Sequence, residues 1–214
     1  MIGFLGGTGP EGKGLALRLA LAGQIILIGS RELTRAKETA QLIQEHKPGC
    51  NVSGECNAVV AKKSDIVFIT VPYDGQANLL REVQAHLSGK IIVDTVAPMI
   101  FSGGMAKPKF VEIGSAAQEA QAMLPGSYIV AAFQNTSATD LMDDKMAVEG
   151  DVLVCSDHAG PKRSVMDLVK LIPNLRPVDG GNLENSKCVE NITPLLLNIN
   201  RIYKAHSTIR IIGI

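Results

Sequence analysis

Nine residues directly after the apolar start MIGFL, Gly6 to Gly14 (GGTGPEGKG), constrain this chain more than any other stretch. Gly7, Gly9 and Gly12 reproduce a G-x-G-x-x-G spacing. In that pattern the first glycine permits a tight strand-to-helix turn, the second lets a phosphate approach the backbone, and the third lets the helix pack closely on the strand. The spacing alone is weak, because glycine is common in ordinary turns. Its context gives it weight: Ile2 to Leu5 reads as a buried strand, Lys13 to Ala22 as an amphipathic helix carrying Leu15, Leu17, Leu19 and Leu21, and Ile25 to Ile28 as a second strand. That is a βαβ unit with its helix N-terminus, an anion-binding point, aimed at the turn.

The end of the second strand discriminates between dinucleotides. An NAD site usually carries Asp or Glu there for the ribose 2′-hydroxyl, but this chain has Gly29, Ser30 and Arg31, with Arg35 one turn later. A hydroxyl and two guanidiniums suit a 2′-phosphate, since the planar fork of Arg matches phosphate oxygens. The expected cofactor is therefore NADP. Arg31 and Arg35 could equally form a solvated helix face, and Glu32 and Glu38 keep that bland reading open.

The 214 residues can bury a sizeable core, and that length suits one doubly wound domain with an extension better than two full domains. Hydrophobic residues at 46% with aromatics at only 4% fit a parallel sheet built from Val, Ile, Leu and Ala. With 21 basic against 21 acidic side chains there is no net field to attract nucleic acid or an anionic membrane surface. No stretch approaches the ~20 apolar residues that span a bilayer. Cys50, Cys56, Cys155 and Cys188 include no C-x-x-C pair, and His46, His86, His158 and His206 are isolated. These spacings predict reduced thiols, no metal site and a cytoplasmic protein.

Apolar runs alternate with helical patterns along the chain. A helix is expected from Thr34 to His46, a variable segment before Ala58 to Lys63, and a buried strand from Asp65 to Val71 that delivers Pro72 and Tyr73 to the crevice at its carboxyl end, where ligands of open α/β sheets bind. Next come a helix over Gln76 to Leu87, a strand over Lys90 to Asp94, and the exit loop Ala97-Pro98. Val111 to Ile113, Ile129 to Phe133 and Val152 to Cys155 read as further strands, with Ala116 to Leu124 helical. After a helix over Arg163 to Ile172, Leu175 to Asp179 is a candidate edge strand. Leu183 to Lys204 is then a helical segment kinked or divided at Pro194. The expected fold is α/β, Rossmann-like and doubly wound, with a mostly parallel sheet. Residues 1–179 form the dinucleotide domain and 180–214 a short helical extension. Leu195, Leu196, Leu197, Ile199 and Ile202 exceed one narrow stripe, so that extension is covered either by the sheet or by a second copy in a homodimer.

No catalytic residue can be assigned. The Tyr-x-x-x-Lys pair that protonates carbonyls in short-chain dehydrogenases is absent, because Tyr73, Tyr128 and Tyr203 are followed four residues on by Ala77, Ala132 and Ser207. If both hydride donor and acceptor are cofactors, the protein need only juxtapose them and exclude water. Two alternatives stay open: an NADP-dependent reductase of a small carbonyl or imine, and a non-catalytic NADP-binding regulatory module.

GGTGPEGKGLALRLA, the GSR at the second strand end, VPY after the third long strand, and DGG-LENSKCVENITPLLLNIN near the C-terminus together resemble the NADPH-dependent coenzyme F420 reductases. The resemblance runs nearly end to end, and it implies hydride transfer between NADP and a 5-deazaflavin. It places the NADP phosphates on Thr8, Gly9, Pro10 and Glu11, the 2′-phosphate on Ser30, Arg31 and Arg35, and the nicotinamide near Tyr73, Ala97 and Ala138. Where archaeal members read His-Thr-Ile-Pro, this chain has Gln134-Asn135-Thr136-Ser137 in a loop that the resemblance sets beside the deazaflavin. Gln134 is a candidate hydrogen-bonding partner there, and Ser207 to Arg210 a candidate wall.

Overall fold

A computed structural model describes all residues from Met1 to Ile214. The opening residues Ile2–Leu5 (β1) are buried on both sides, as a central parallel strand must be. Pro10–Leu21 (α1) carries the chain to Ile26–Ser30 (β2), and Leu33–His46 (α2) to Val52–Cys56 (β3). Asn57–Lys63 (α3) then returns it to Ile66–Ile69 (β4) on the other side of β1, and Tyr73–Val83 (α4) leads to Ile91–Asp94 (β5). A hairpin of Met99–Ser102 (β6) and Met105–Pro108 (β7) precedes Ala116–Met123 (α5) and Tyr128–Ala131 (β8). The six main strands pair in the order β3-β2-β1-β4-β5-β8, parallel throughout. The strand order reverses between β1 and β4, which fixes where an open α/β sheet leaves its ligand crevice.

Beyond β8 come Ala138–Met142 (α6), Gly150–Val154 (β9), Ala159–Lys170 (α7), Leu175–Asp179 (β10) and Ser186–Tyr203 (α8). β9 and β10 form their own parallel pair, joined to the main sheet by one antiparallel bridge between Ala131 and Cys155.

Period-2 alternation divides the core. Phe4, Phe68, Val93 and Val130 point to the face packed by α1, α2 and α7, while Leu5, Ile69, Ile92 and Ile129 point to the face packed by α3, α4 and α5. Phe4 stacks on Phe68 with centroids 4.7 Å apart, and Phe68 meets Phe133 at 5.9 Å. Arg18 is buried in the first core, yet it is satisfied: its guanidinium donates to the carbonyls of Leu141, Asp140, Asp143 and Met146, which fastens α6 and the following loop to α1.

Four expectations are revised. Val111 to Ile113 is irregular, because the position beside β5 is taken by β8; the strands of that region are instead the β6–β7 hairpin. The variable segment before α3 contains β3. α6 appears where no helix was expected. α8 is one continuous helix through Pro194, so of the kink or division expected there it is the division that the structure removes. A proline removes one intrahelical hydrogen bond, and tertiary contacts on either side of it hold the helix: Thr193 Oγ1 donates to the Gln134 carbonyl at 2.8 Å, and Asn198 brackets the N–H and carbonyl of Ala106, each at 2.8 Å.

Glu190 locks α8 to α5. Its carboxyl accepts from the N–H groups of Ala116 and Ala117 at 2.8 and 3.1 Å, replacing partners that the helix start lacks. Burial, reinforced by nearby Asp94, pushes Glu190 from 4.5 to about 8. A carboxyl raised in this way binds its proton more tightly folded than unfolded. Its contribution is complete below 4.5 and is lost as pH rises through about 8. Asp94, raised by burial to about 7, acts in the same sense. The melting temperature should therefore decline between pH 5 and 8, and Glu190→Gln should make that decline shallower even though its amide caps α5 less well. A melting series across pH checks this, and an unchanged slope would contradict it.

Candidate functional site

The crevice over β1 and β4 has two halves. One, about 440 Å³, is lined by the glycine turn, Ser30, Arg31, Arg35, Asn57 and the start of α4. The other, about 630 Å³, lies between the start of α1, the exits of β4, β5 and β8, α8, and His206 and Ser207 of the C-terminal tail. Gly9, Thr70, Val71 and Pro72 line both halves, so they form one continuous groove across the switch point.

The glycines have separable duties. A Cβ on Gly12 would stand 2.7 Å from Gly7 Cα and 2.7 Å from Thr70 Oγ1, and one on Gly7 would stand 2.7 Å from Phe4 Cβ. These two let α1 close on the strand and lie behind the groove, lining neither half. A Cβ on Gly9 would meet only carbonyl oxygens 3.8 and 3.9 Å away, so the protein itself has no steric need for glycine there. Gly9 is the N-cap of α1, no side chain caps that helix, and Pro10 supplies no N–H. The remaining first-turn N–H groups face the groove as donors for an anion.

Gly6 holds φ at +68°, and its N–H donates to Asn57 Oδ1 at 3.2 Å. Asn57 was not legible as a site residue, because it opens a short helix and belongs to no motif. Gly29 makes room for it: a Cβ there would lie 2.6 Å from Asn57 Oδ1.

Ser30 is buried at the end of β2 and accepts from the Glu32 N–H at 3.1 Å, which turns the chain outward. Arg31 is exposed and makes no ion pair, while Arg35 lies 3.7 Å from Glu32 in an exposed i,i+3 contact. Such a contact is worth little in water, so both guanidiniums remain at the disposal of an anion entering beside Ser30.

In the larger half, Thr8 lies back toward the smaller cavity while Pro10, Glu11, Pro72, Tyr73, Ala97, Gln134 and Ala138 converge on the lining. Burial pushes Glu11 up to about 8, and its Oε1 is buried without a partner. Tyr73 is raised to about 12 by burial and by its hydrogen bond to Glu119, with Lys109 Nζ 5.1 Å above its ring. It stays a neutral phenol at neutral pH.

Gln134 and Asn135 are both buried, and each is fixed by a backbone carbonyl. Gln134 Nε2 donates to the Asp94 carbonyl at 2.8 Å, and Asn135 Nδ2 donates to the Asp151 carbonyl at 2.9 Å. A carbonyl can only accept, so these bonds settle both amide orientations and leave Gln134 Oε1 and Asn135 Oδ1 as acceptors without donors. Phe133, just before them, holds φ at +72° in the left-handed region. Strain and unpaired acceptors gathered in one loop are features that a bound ligand commonly repays. The groove thus combines an anion-binding helix start with two available guanidiniums, which fits a phosphorylated dinucleotide, and the unpaired Gln134 and Asn135 oxygens lie buried beneath its lining.

Residues 1–98 match the family of coenzyme F420-dependent NADP oxidoreductases. F420-dependent NADP reductase from Methanothermobacter marburgensis is 38% identical over 205 residues, covering 93% of this chain and 92% of the relative. The enzyme of the same name from Methanocaldococcus jannaschii is 37% identical over 213 residues, covering 97% and 95%. The chain belongs to the F420-dependent NADP reductase family. A crystal structure from Arthrobacter sp., provisionally labelled an F420-dependent NADP reductase, superposes with a TM-score of 0.83 at 24% identity over 98% of this chain and 96% of that one, in agreement on the fold. Family membership accords with the groove, whose glycine turn, Ser30 and Arg31 occur in that order along one edge.

Gly9→Ala should fold with an unchanged melting temperature and yet weaken NADPH binding by about 10- to 100-fold, the cost of forcing an extra methyl into a close contact. Gly12→Ala should lower the melting temperature itself, because its clash is internal. Melting curves with and without NADPH separate the two, and equal behaviour of the pair would contradict the division of roles.

Proposed function

We propose that this protein transfers hydride between NADP(H) and the 5-deazaflavin coenzyme F420. The observation that carries the reading is the continuous groove at the switch point, with a phosphate-accepting turn and arginine pair at one end and room for a second ring system at the other. The names of the two methanogen relatives, matched over almost the whole chain, support the same pair of substrates.

In this reading the start of α1 and the N–H groups around Thr8 to Glu11 receive the pyrophosphate. Ser30, Arg31 and Arg35 hold the 2′-phosphate. When bound, the reduced nicotinamide would supply a hydride and the deazaflavin would accept it together with a proton from water, so the chain need provide no nucleophile. Its own residues orient and exclude water. Gln134 Oε1 and Asn135 Oδ1 accept from amide N–H groups, Ala97 and Ala138 are small enough for flat rings to approach, and Tyr73 walls one side as a neutral phenol. Glu11 keeps its proton up to about 8, so no negative charge opposes the phosphates at neutral pH.

Four cysteines without a disulfide fit a reducing, cytoplasmic setting, and no helix is long and apolar enough to cross a membrane. Ile192, Leu195, Ile199 and Ile202 recur at spacings of 3, 4 and 3 on α8, and Leu195 and Ile202 are more than half exposed. This stripe supports a homodimer formed through α8. Leu195→Glu should shift the sedimentation profile to monomer, and a wild-type protein that already sediments as monomer would sink the dimer.

Mixing the protein with NADPH and F420 and following the absorbance of both tests the function directly: stoichiometric reduction of the deazaflavin is expected, and binding of NADPH without turnover would overturn it. Arg31→Ala should weaken NADPH by about 10- to 100-fold, as loss of a charge-assisted contact predicts. NADH should be scarcely affected. Equal losses for the two nucleotides would remove Arg31 from the 2′-phosphate site.

A further inference from the structure

Asp151 is a buried carboxylate that lies outside the nucleotide half of the groove and joins two separate segments of the chain. Its side chain is wholly buried and accepts from Arg176 Nε at 2.8 Å and Nη2 at 2.7 Å, a bidentate pair of the kind that fixes geometry as well as energy. The Arg176 guanidinium holds its carboxyl below the usual carboxylate range, with further help from the Ile211 N–H. The same carboxylate accepts from that Ile211 N–H, the Asp151 N–H donates to the Ile209 carbonyl at 2.9 Å, and Arg176 donates onward to the carbonyls of Ile211 and Ile214. Residues 209–214 have no secondary structure and expose Ile211, Ile212 and Ile214. Burial of their own side chains therefore does not keep them in place.

What that tail does is set by its first residues. α8 stops at Lys204, which takes a left-handed φ of 50°, and the chain then doubles back so that His206 and Ser207 line the larger half of the groove opposite Ala97 and Tyr73. Ser207 is held to Asn200 Oδ1 through both its N–H and its hydroxyl, each at 2.6 Å, and His206 Nδ1 meets Asp140 Oδ1 on α6. The tail is thus anchored by Asn200 and Asp140 beside the groove and by Asp151 and Arg176 beyond it. Asp151 also touches the groove from below, since its carbonyl is the acceptor that orients Asn135.

We propose that Asp151 and Arg176 are positioning residues for the second substrate: together they clamp residues 209–214, the continuation of the His206–Ser207 turn that lines the larger cavity, so the affinity for the hydride partner depends on an ion pair that touches no substrate. This rests on the function proposed above for the identity of that partner. The phosphate-binding half of the groove shares no residue with the clamp, so most of the contacts that hold NADPH do not depend on it.

Arg176→Met keeps the aliphatic stem and removes the guanidinium donors; because it leaves the buried Asp151 carboxylate without its cation, it is measured below its own melting transition and beside the double variant Asp151→Asn/Arg176→Met. In Arg176→Met, amide hydrogen exchange of Ser207 and Ile211, the tail N–H groups held by Asn200 and Asp151, should accelerate by about a hundredfold, as for a segment freed from one of its two anchors. The KM for F420 should rise by about tenfold with kcat little changed, the scale expected when a binding wall is lost rather than a reacting group. The Kd for NADPH, read by its fluorescence, should move far less, because the phosphate contacts that dominate it lie in the other half of the groove. Deleting residues 211–214 leaves the ion pair intact and should reproduce the KM effect and the faster exchange of Ser207. Unchanged exchange in Arg176→Met would overturn the clamp, and faster exchange with an unchanged KM would overturn the tail as a wall. A parallel loss of NADPH affinity would mean general damage and would also overturn the proposal. Failure of the wild-type protein to reduce F420 would instead overturn the proposed function, and the exchange measurement would still decide whether the pair holds the tail.

Discussion

The approach of α1 to the first strand is the constraint on which the rest of this molecule depends. Gly12 and Gly7 meet with no space for a methyl between them. That contact sets how deeply the helix start sinks over the sheet, and therefore where its free N–H groups point. Thr70 Oγ1 lies against Gly12 while donating to the Leu5 carbonyl at 3.0 Å, so the exits of β1 and β4 are tied at the same place. The groove exists because two strands leave the switch point on either side of this junction.

The two ends of the groove are built on different physical terms. The nucleotide end is made largely of backbone: a turn, a helix start, and a glycine held by Asn57. It is preorganised by sterics and should change little on binding. The other end is made of side chains and loops whose polar groups are incompletely matched. Gln134, Asn135 and Thr136 each bury an oxygen without a partner, next to a phenylalanine in a left-handed conformation. Each unpaired acceptor costs about 1–3 kcal/mol, and here the surrounding core absorbs that cost through Phe133, which packs on Phe68. Binding energy at this end comes partly from relieving these deficits, which couples substrate choice to the loop's composition. Selectivity for the hydride partner is therefore expected to vary first with the composition of the Gln134-Asn135-Thr136-Ser137 loop.

Much of the fold was legible because its signals are local. The continuous apolar strands, the glycine spacing and the missing acid at the end of β2 each have one strong physical reading. β3 was hidden because VSGEC is neither apolar nor alternating; it is an edge strand whose Gly54 accommodates the backbone of Ala36 on α2. The hairpin was hidden because its turn, Gly103-Gly104, sits in a run that exposes Ile100 and Phe101 instead of burying them. Val111 to Ile113 looked like a strand by propensity, but the sheet edge beside β5 was already filled. Asn57 carried no signal at all, since its role depends on where Gly6 and Gly29 lie in space.

From the residues alone followed the βαβ opening, the dinucleotide turn, and the preference for a phosphate over a free ribose hydroxyl, because turn geometry and charge are properties of neighbours in sequence. Only the folded chain decided which amide faces of Gln134 and Asn135 are free, that Asp151 lies beneath the groove and holds the tail, and that Pro194 leaves α8 whole. Those outcomes join residues from 16 to 92 positions apart, such as Asn135 with Asp151, Gln134 with Asp94, Asp151 with Ile211 and Asn198 with Ala106. Such partners meet only through the packing of the whole domain, which no local pattern encodes.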